Sequence, residues 1–294
     1  MTMKVKKSAA DWALDFVIYA VMILTIVVTL YPFINSLAIS LNNADDTTRG
    51  GITFYPRMFT MRNYELIFKN EKIYTAYIIT IIRTVIGTVG GLFFTSILAF
   101  GLAHKALVGR KFYTMMCLIP MYFSGGLIPS YFLIRELGLT NNFWVYIFPM
   151  LVNLWNMMLM RSFFQGIPEA LEESARIDGA NDFIVLFRIL FPLCLPVFAV
   201  LGLYYAVGNW NSWFNPMIFL QNRMLFPLQL VLREILINND MTNMVTQTIS
   251  GEQDLYRALV KYCTIIVATL PILAIYPFIQ RYFIKGVMIG AIKG

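Results

Sequence analysis

Residues 165–196 read QGIPEALEESARIDGANDFIVLFRILFPLCLP and form a charged island between two hydrophobic segments. Pro168 suits the first position of a helix, where its missing N–H costs no hydrogen bond. Acidic side chains follow it, and they favour the positive pole of a helix dipole. Gly179 is typical of the left-handed turn that ends a helix, and Asn181 can cap a second helix from Asp182. The pattern therefore predicts two short helices around a turn at Gly179.

The composition of the 294-residue chain is that of a membrane protein. Hydrophobic residues make up 59% and charged residues 13%, whereas an average soluble domain has about 25% charged residues. The mean hydropathy is +0.67. The net charge of +7 fits basic residues on the cytoplasmic side of a membrane, so it gives no evidence for nucleic-acid binding. Cys117, Cys194 and Cys263 lie in apolar segments and are expected to be small buried hydrophobes.

Six apolar segments are candidates to cross a bilayer, which takes about 20 helical residues. The first is too long for the apolar core of a signal peptide, which is about 7–15 residues. The expected spans are residues 12–37, 73–103, 112–134, 143–164, 189–207 and 262–282. We expect a single transmembrane domain over 1–294, with both termini and the loop 165–188 in the cytoplasm, because the short loops on that side are denser in Lys and Arg. Residues 208–260 then face outward.

Two features of the spans point to function. The third span is interrupted by Pro120 and by Ser124–Gly126, and broken helices at membrane depth are tolerated only where protein or a water-filled cavity surrounds them. The third span is therefore a candidate to line a pathway. Arg83 lies within the second span, where it could snorkel to the interface, pair with a partner chain, or take part in gating or substrate contact.

The charged island resembles the EAA loop of ABC-importer permeases. Glu173-Ser174-Ala175, then Gly179 after three residues, then Ile189-x-x-Pro192 after nine, is similar to the family pattern Glu-Ala-Ala-x3-Gly-x9-Ile-x-Leu-Pro. Ser174 replaces the first alanine and Phe191 replaces the leucine. Both changes are mild, because serine is small and phenylalanine keeps its position apolar.

The resemblance covers nearly the whole chain and is more specific for the carbohydrate branch, in particular its complex-oligosaccharide subgroup. It is carried by Met121–Pro129, Gly138-Leu139, Pro149, Arg161–Phe164, Asn209–Phe214 and Pro227–Leu236. It implies an all-α membrane protein with six transmembrane helices and a cytoplasmic coupling helix, which is the type I ABC-importer permease fold.

The resemblance also implies a function. The chain would be a pore-forming permease subunit of an ATP-driven, binding-protein-dependent importer of sugars, expected to be oligosaccharides, working by alternating access in the inner membrane of a prokaryote. Its partners would be a second homologous permease in a heterodimer, two ATP-binding subunits, an extracytoplasmic solute-binding protein and the saccharide. The alternatives are a non-transporting membrane sensor or assembly subunit, and an ABC permease for a non-sugar solute.

Enzyme chemistry has little support in the sequence. No segment matches the phosphate loop Gly-x4-Gly-Lys-Ser/Thr, and no Cys/His cluster has zinc spacing. The only histidine, His104, lies in a basic loop and is expected to be solvated. We therefore predict no catalytic residue, no metal site and no cofactor on this chain, with ATP and magnesium bound by a partner ATPase.

Two sets of residues are the candidate sites. The resemblance assigns ATPase docking to Glu169, Glu172, Glu173, Ser174, Ala175, Asp178 and Gly179. A substrate pathway is assigned to Tyr122, Phe123, Gly125, Gly126, Trp210, Asn211, Trp213 and Asn215, because sugars bind to flat aromatic platforms with amide partners. Two other interpretations of the tryptophan cluster remain open: an aromatic belt at the membrane interface, and docking of the binding protein.

Overall fold

The structure, a computed structural model, describes residues 8–69, 71–245, 259–277 and 280. These residues are largely helical and contain no β-strand, apart from an isolated antiparallel bridge between Asn42 and Phe59. The α-helices are α1 (Ala9–Ser40), α2 (Ala44–Thr47), α3 (Arg62–Phe68), α4 (Glu71–Ala103), α5 (Arg110–Tyr122), α6 (Leu127–Glu136), α7 (Leu154–Phe164), α8 (Glu169–Ile177), α9 (Asp182–Ile184), α10 (Phe191–Leu193), α11 (Leu195–Asn211), α12 (Phe214–Phe219), α13 (Leu228–Val245) and α14 (Leu259–Pro277). Short 3-10 helices cover Phe143–Tyr146, Phe148–Met150 and Arg223–Leu225, and a π-helix covers Val185–Leu190.

Within the described residues, three single helices and three bent helix pairs are long and apolar enough to cross a membrane. The single helices are α1, α4 and α14. The pairs are α5 with α6, bent by 118°, residues 143–150 with α7, bent by 44°, and residues 182–193 with α11, bent by 91°. The fold class expected from the sequence, an all-α membrane protein with six spans, is confirmed.

The breaks in these pairs have local causes. The third span breaks between Phe123 and Gly126, where the sequence predicted an interruption; Gly126 has a φ of 87°, which glycine adopts without steric cost. The fifth span bends at Cys194, between Pro192 and Pro196. Each proline removes one backbone donor from the helical hydrogen-bond ladder, so the chain changes direction there.

The described residues divide into two compact units. The first comprises the described parts of 1–70 and 235–269, and the second those of 71–234 and 270–294. The second unit contains the charged loop and all the candidate site residues. Its main apolar core joins α4, α7 and α11 through buried side chains that include Phe100, Met157, Met160, Leu190 and Leu201.

Close contact between α4 and α11 depends on glycine. A Cβ at Gly91 would stand 2.8 Å from the ring of Tyr205, and a Cβ at Gly87 would stand 2.8 Å from the amide nitrogen of Asn209. The Tyr205 hydroxyl shares a 2.6 Å hydrogen bond with Thr95 and accepts one of 2.8 Å from the backbone N–H of Asn153. Small residues at such a crossing let helix backbones approach.

In the first unit, a polar network orders the segment between α1 and α4. The side chain of Asn42 donates to the Asp46 carboxylate at 3.0 Å and accepts from the backbone N–H of Met58 at 2.8 Å. Arg57 forms an ion pair of 2.9 Å with Asp46 and donates to the Gly50 carbonyl. Hydrogen bonds from Asn42 and Arg57 stabilise the charged carboxylate, so they lower the pKa of Asp46.

Candidate functional site

Helix α8, in the middle of the charged loop, ends in a well-formed Schellman turn. The N–H of Ala180 donates to the Ala175 carbonyl at 2.9 Å, and the N–H of Gly179 donates to the Arg176 carbonyl at 3.0 Å. Gly179 has a φ of 84°, as the motif requires. At the other end Pro168 is the N-cap, so the helix begins at Glu169, one residue later than the sequence suggested. The turn thus fixes the direction in which the chain leaves α8.

The chain then re-enters a helix through the predicted cap. The side-chain oxygen of Asn181 accepts from the N–H of Ile184 at 2.9 Å. Arg176, in the last turn of α8, forms an ion pair of 2.5 Å with Asp182, the first residue of α9. The two helices are therefore tied by a backbone turn and a side-chain bridge.

Two contacts between acidic and basic side chains connect α8 to the loop that follows α4. Glu172 lies 3.4 Å from Nδ1 of His104, and Glu169 lies 2.7 Å from the Lys105 ammonium. The Glu172 side chain is only 18% exposed. His104 is not freely solvated as predicted, because it is half-buried with its ring edge against Phe100 at 4.4 Å. The sequence signal for this contact is the basic pair at 104–105 facing an acidic helix.

A cavity of about 950 Å³ opens beside the contacts of His104 and Lys105 with α8. Its walls come from the end of α4, the loop after it, the end of α7, and helices α8 and α9. The lining combines apolar and charged side chains, among them Phe100, His104, Arg110, Phe164, Glu172 and Phe183. The charged loop therefore lies over a recess and is not packed flat against the rest of the second unit.

The remaining predicted docking residues differ in position. Glu173 and Asp178 are exposed and form no ion pair with any residue in the described ranges. The Ser174 hydroxyl donates to the Ala170 carbonyl at 2.8 Å within α8. Ala175 is half-buried and packs against the main apolar core. One face of α8 therefore packs against the rest of the subunit, and the opposite face is exposed.

Two apolar side chains on α8 were not singled out from the sequence. Ile177 is 86% exposed and Leu171 is 45% exposed. The helical period of the loop could have indicated Ile177, which lies two residues beyond Ala175 and so on a different face, whereas Leu171 lies four residues before Ala175 and shares its face. They add apolar area to the open surface of the helix.

The predicted pathway residues at the end of α11 meet side chains that the sequence did not indicate. Trp210 is buried, with the ring of Tyr77 edge-on at 5.9 Å. Asn211 is exposed, and its side-chain oxygen accepts from the Gln229 amide of α13 at 3.4 Å. Trp213 is half-buried beneath Arg233, whose guanidinium carbon lies 3.6 Å from the ring centroid. Asn215 is half-buried in α12.

The four predicted pathway residues at the break of the third span are exposed: Tyr122, Phe123, Gly125 and Gly126. The rings of Tyr122 and Phe123 are each 75% exposed and take part in none of the aromatic pairs among the described residues. The second half of the span does reach the segment after α11, because Tyr131 in α6 stacks on Phe219 in α12 at 5.9 Å.

Arg83 is buried within the second unit, with 1% of its surface exposed. Its guanidinium donates to the carbonyls of Asn209 and Ser212, the latter at 2.7 Å, and lies 4.9 Å from the ring centroid of Tyr146. In the described part of the chain it has no acidic partner. It occupies instead the negative pole of α11, where a cation is favoured. Snorkelling to the interface is therefore wrong, because the guanidinium is buried and donates to carbonyls of its own chain.

Two further contacts hold residues 225–228, which lie at the end of the segment that follows α11, close to the same face of α4. Thr80, one turn before Arg83, accepts from the backbone N–H of Leu228 at 2.8 Å. Tyr146, beneath Arg83, donates to the Leu225 carbonyl. We call Thr80, Arg83 and Tyr146 the α4 clamp; it fastens the chain near both 209–212 and 225–228.

Comparisons with known proteins agree with this architecture. No protein-family model matches the chain. The polygalacturonan/rhamnogalacturonan transport system permease protein YtcP of Bacillus subtilis (strain 168) is 35% identical over 285 residues, covering 95% of this chain and 98% of the relative. Protein LplC of the same organism is 37% identical over 271 residues, covering 91% and 90%.

A solved structure gives the same result. It is that of a bacterial ABC transporter involved in the import of the acidic polysaccharide alginate. One of its chains matches with a TM-score of 0.85 and 27% identity, over 95% of this chain and 100% of that one. The family resemblance seen in the charged loop therefore extends over the length of the chain and its helices. The chain belongs to the family of sugar ABC-importer permeases and is a pore-forming transmembrane subunit of that kind.

Proposed function

We propose that this permease imports an oligosaccharide as one half of a heterodimeric pore with a second, homologous permease. A pair of ATP-binding subunits binds ATP and magnesium and carries out hydrolysis on the cytoplasmic side. An extracytoplasmic binding protein delivers the sugar. The subunit crosses the inner membrane of a prokaryote with both termini in the cytoplasm. Membership of the sugar ABC-importer permeases supports an assembly of this kind.

Helix α8 is the proposed docking element for the ATPase, and its geometry is the observation that carries the proposal. Its open face presents Glu173, Asp178 and Ile177, which suit a partner cleft with basic and apolar groups. Its other face is joined to α4 through His104 and Lys105. A push on α8 would therefore reach both the second and the fifth spans, as alternating access requires.

The proposed sugar contacts lie at the other end of α11. Trp213 supplies a flat ring, and Asn211 and Gln229 supply amides at one place. Ligand sites generally combine apolar walls with a few well-placed polar groups. The cargo proposed here is a saccharide, and the names of YtcP and of the alginate importer also specify saccharides, in both cases polysaccharides.

The coupling role can be tested with charge reversals in the reconstituted complex. Glu173→Lys should leave the permease itself folded in the membrane, because the side chain is exposed, but should reduce sugar-stimulated ATP hydrolysis and uptake together. Glu136→Lys, at the exposed end of α6, is the matched control and should behave as the wild type. Normal uptake and normal ATPase binding in Glu173→Lys would contradict docking through α8.

The orientation needs a separate measurement. Single cysteines at Ser174 and Thr242 should react with a membrane-impermeant reagent from opposite sides of sealed vesicles. Reaction of both from the same side would refute the proposed topology without bearing on the choice of cargo.

A further inference from the structure

We propose that Arg233, stacked on Trp213, is a carboxylate-binding group of the substrate pathway, and that the cargo is therefore an acidic saccharide that carries uronate units. The inference rests on the proposed import of an oligosaccharide and narrows it to one chemical class.

The first observation is the geometry of the pair. The guanidinium carbon of Arg233 lies 3.6 Å from the centroid of the Trp213 ring, well inside the ~6 Å range of a cation–π contact. Gln229 precedes Arg233 by four residues in α13, so both side chains project from the same face of the helix. Gln229 in turn donates to Asn211 at 3.4 Å. An aromatic ring, a planar cation and two amides thus meet at one place.

The second observation is that the guanidinium has unused donors. Apart from the ring, Arg233 forms neither a hydrogen bond nor an ion pair within the described ranges. Its neighbour Glu234 is about 100° further around the helix and does not pair with it. Arginine carries five N–H donors in a fixed fork. Contact with a ring face leaves the edge of that fork open, and the fork matches the two oxygens of a carboxylate.

The third observation is the local charge. Residues 209–233 contain no Asp or Glu, and Arg233 is the arginine of this segment that lies at Trp213. A ligand at Trp213 therefore meets only positive side-chain charge from this segment. A neutral sugar would offer hydroxyl groups that cannot use the charge, whereas a uronate would offer an anion to the guanidinium.

The fourth observation is that the pair is held in position. The α4 clamp fastens the chain just before Trp213 and again at Leu228, the first residue of α13. Both partners of the stack are therefore anchored to α4, and little ordering is required when a ligand binds. Such preorganisation favours affinity.

The test compares one sugar in acidic and neutral form. Trigalacturonate and its fully methyl-esterified form are titrated into the purified transporter complex in nanodiscs, without binding protein, and binding is followed by saturation-transfer NMR. The wild type should bind the acid at least about tenfold more tightly than the ester. Arg233→Gln should lower the affinity for the acid by about tenfold to a hundredfold and leave the affinity for the ester unchanged. The matched control Arg223→Gln removes the same charge from an exposed position and should bind both forms as the wild type does.

Other outcomes overturn the inference. Equal wild-type affinities, an equal loss for both sugars in Arg233→Gln, or the same loss in Arg223→Gln would each do so. A variant with normal sugar binding that needs more binding protein for uptake would place Arg233 at the docking surface instead. If Arg233→Gln does not assemble, Arg233→Lys serves as the test variant. It keeps the charge but lacks the planar fork, so it should still lose most of the preference for the acid over the ester. Failure of the proposed function looks different, because the wild type would then neither bind nor import either form.

Discussion

The ring of Tyr205 lies directly against the bare backbone of Gly91, so close that a Cβ at that position would stand 2.8 Å from it. The ring has no room to withdraw, because its hydroxyl is held by Thr95 and by the N–H of Asn153. This contact sets the distance between α4 and α11, the two helices that the α4 clamp also joins near residues 209–212.

Gly91→Ala should therefore destabilise the second unit by about 1–3 kcal/mol, the usual cost of overpacking. The matched control is Gly101→Ala in the same helix, where no atom lies within 4 Å of the added Cβ and the higher helix propensity of alanine gives up to about 1 kcal/mol of stabilisation. Thermal unfolding of the purified subunit in detergent distinguishes the two. Similar melting temperatures for both variants would contradict the tight contact.

Gly179→Val should weaken the turn between α8 and α9. The φ of 84° costs a residue with a Cβ about 1–2 kcal/mol, and no neighbouring atom lies within 4 Å of the added Cβ, so the cost comes from the backbone alone. Gly179→Asn, which tolerates this φ, should retain most of the coupling. We expect reduced uptake per ATP hydrolysed in the valine variant, measured in proteoliposomes. Equal coupling in both variants would exclude a role for the turn.

The two contacts between α8 and the loop that follows α4 should contribute differently to stability, because one is exposed and the other is mostly buried. Lys105 and Glu169 are largely exposed, so Lys105→Ala should change stability by less than about 1 kcal/mol. Glu172→Ala should have a larger effect, because its side chain is mostly buried against His104. A double-mutant cycle on each pair, measured by denaturant unfolding, gives the two coupling energies. A stronger coupling for the exposed pair would contradict the burial argument.

Arg83→Met should destabilise the end of α11. Each carbonyl left without its donor costs about 1–3 kcal/mol, and the Asn209 and Ser212 carbonyls both lose theirs. The control is Arg135→Met, an exposed arginine of α6, which should change stability by no more than about 0.5 kcal/mol. Thermal unfolding gives the difference. Equal stability of the two variants would show that Arg83 does not anchor the helix.

The Asp46 network should weaken in acid. Because the pKa of Asp46 is lowered in the folded protein, its stabilising contribution is present above the ordinary aspartate pKa of about 3.9 and is lost as the pH falls through the lowered value. Protection of the Asn43 and Thr60 amides against hydrogen exchange, corrected for intrinsic rates, should therefore fall in that window. Asp46→Asn should show weaker protection at neutral pH and no such fall.

Local features of this fold were readable from the sequence. The turn at Gly179, the cap at Asn181 and the break before Leu127 each depend on a few neighbouring residues whose backbone preferences are strong. The six spans were predicted from the apolar segments, and the family resemblance implies the same architecture. The 91° bend of the fifth span was not predicted, although Pro192 and Pro196 flank it, because prolines in membrane helices are often accommodated without a sharp turn.

The candidate site was harder to predict, because its contacts join distant parts of the chain. Arg83 meets carbonyls more than 120 residues away, and backbone carbonyls leave no mark in a sequence. Arg233 was seen only as part of an amphipathic segment, with nothing to indicate that Trp213 lies beneath it. Single-sequence periodicity identifies which face of a helix is apolar, but not which other segment meets that face.

Helix α1 presents apolar side chains on all its sides, and none of the 18-residue window that qualifies it as a span is buried. Within the described residues this window therefore gains little stability from burial in the subunit that contains it. Its free energy is set by whatever surrounds it, and so varies with lipid composition and with the concentration of other membrane proteins. We expect quality-control proteases to recognise an unassembled copy of this chain by its exposed first helix. The lifetime of such a copy should then depend on the supply of the proteins with which it assembles.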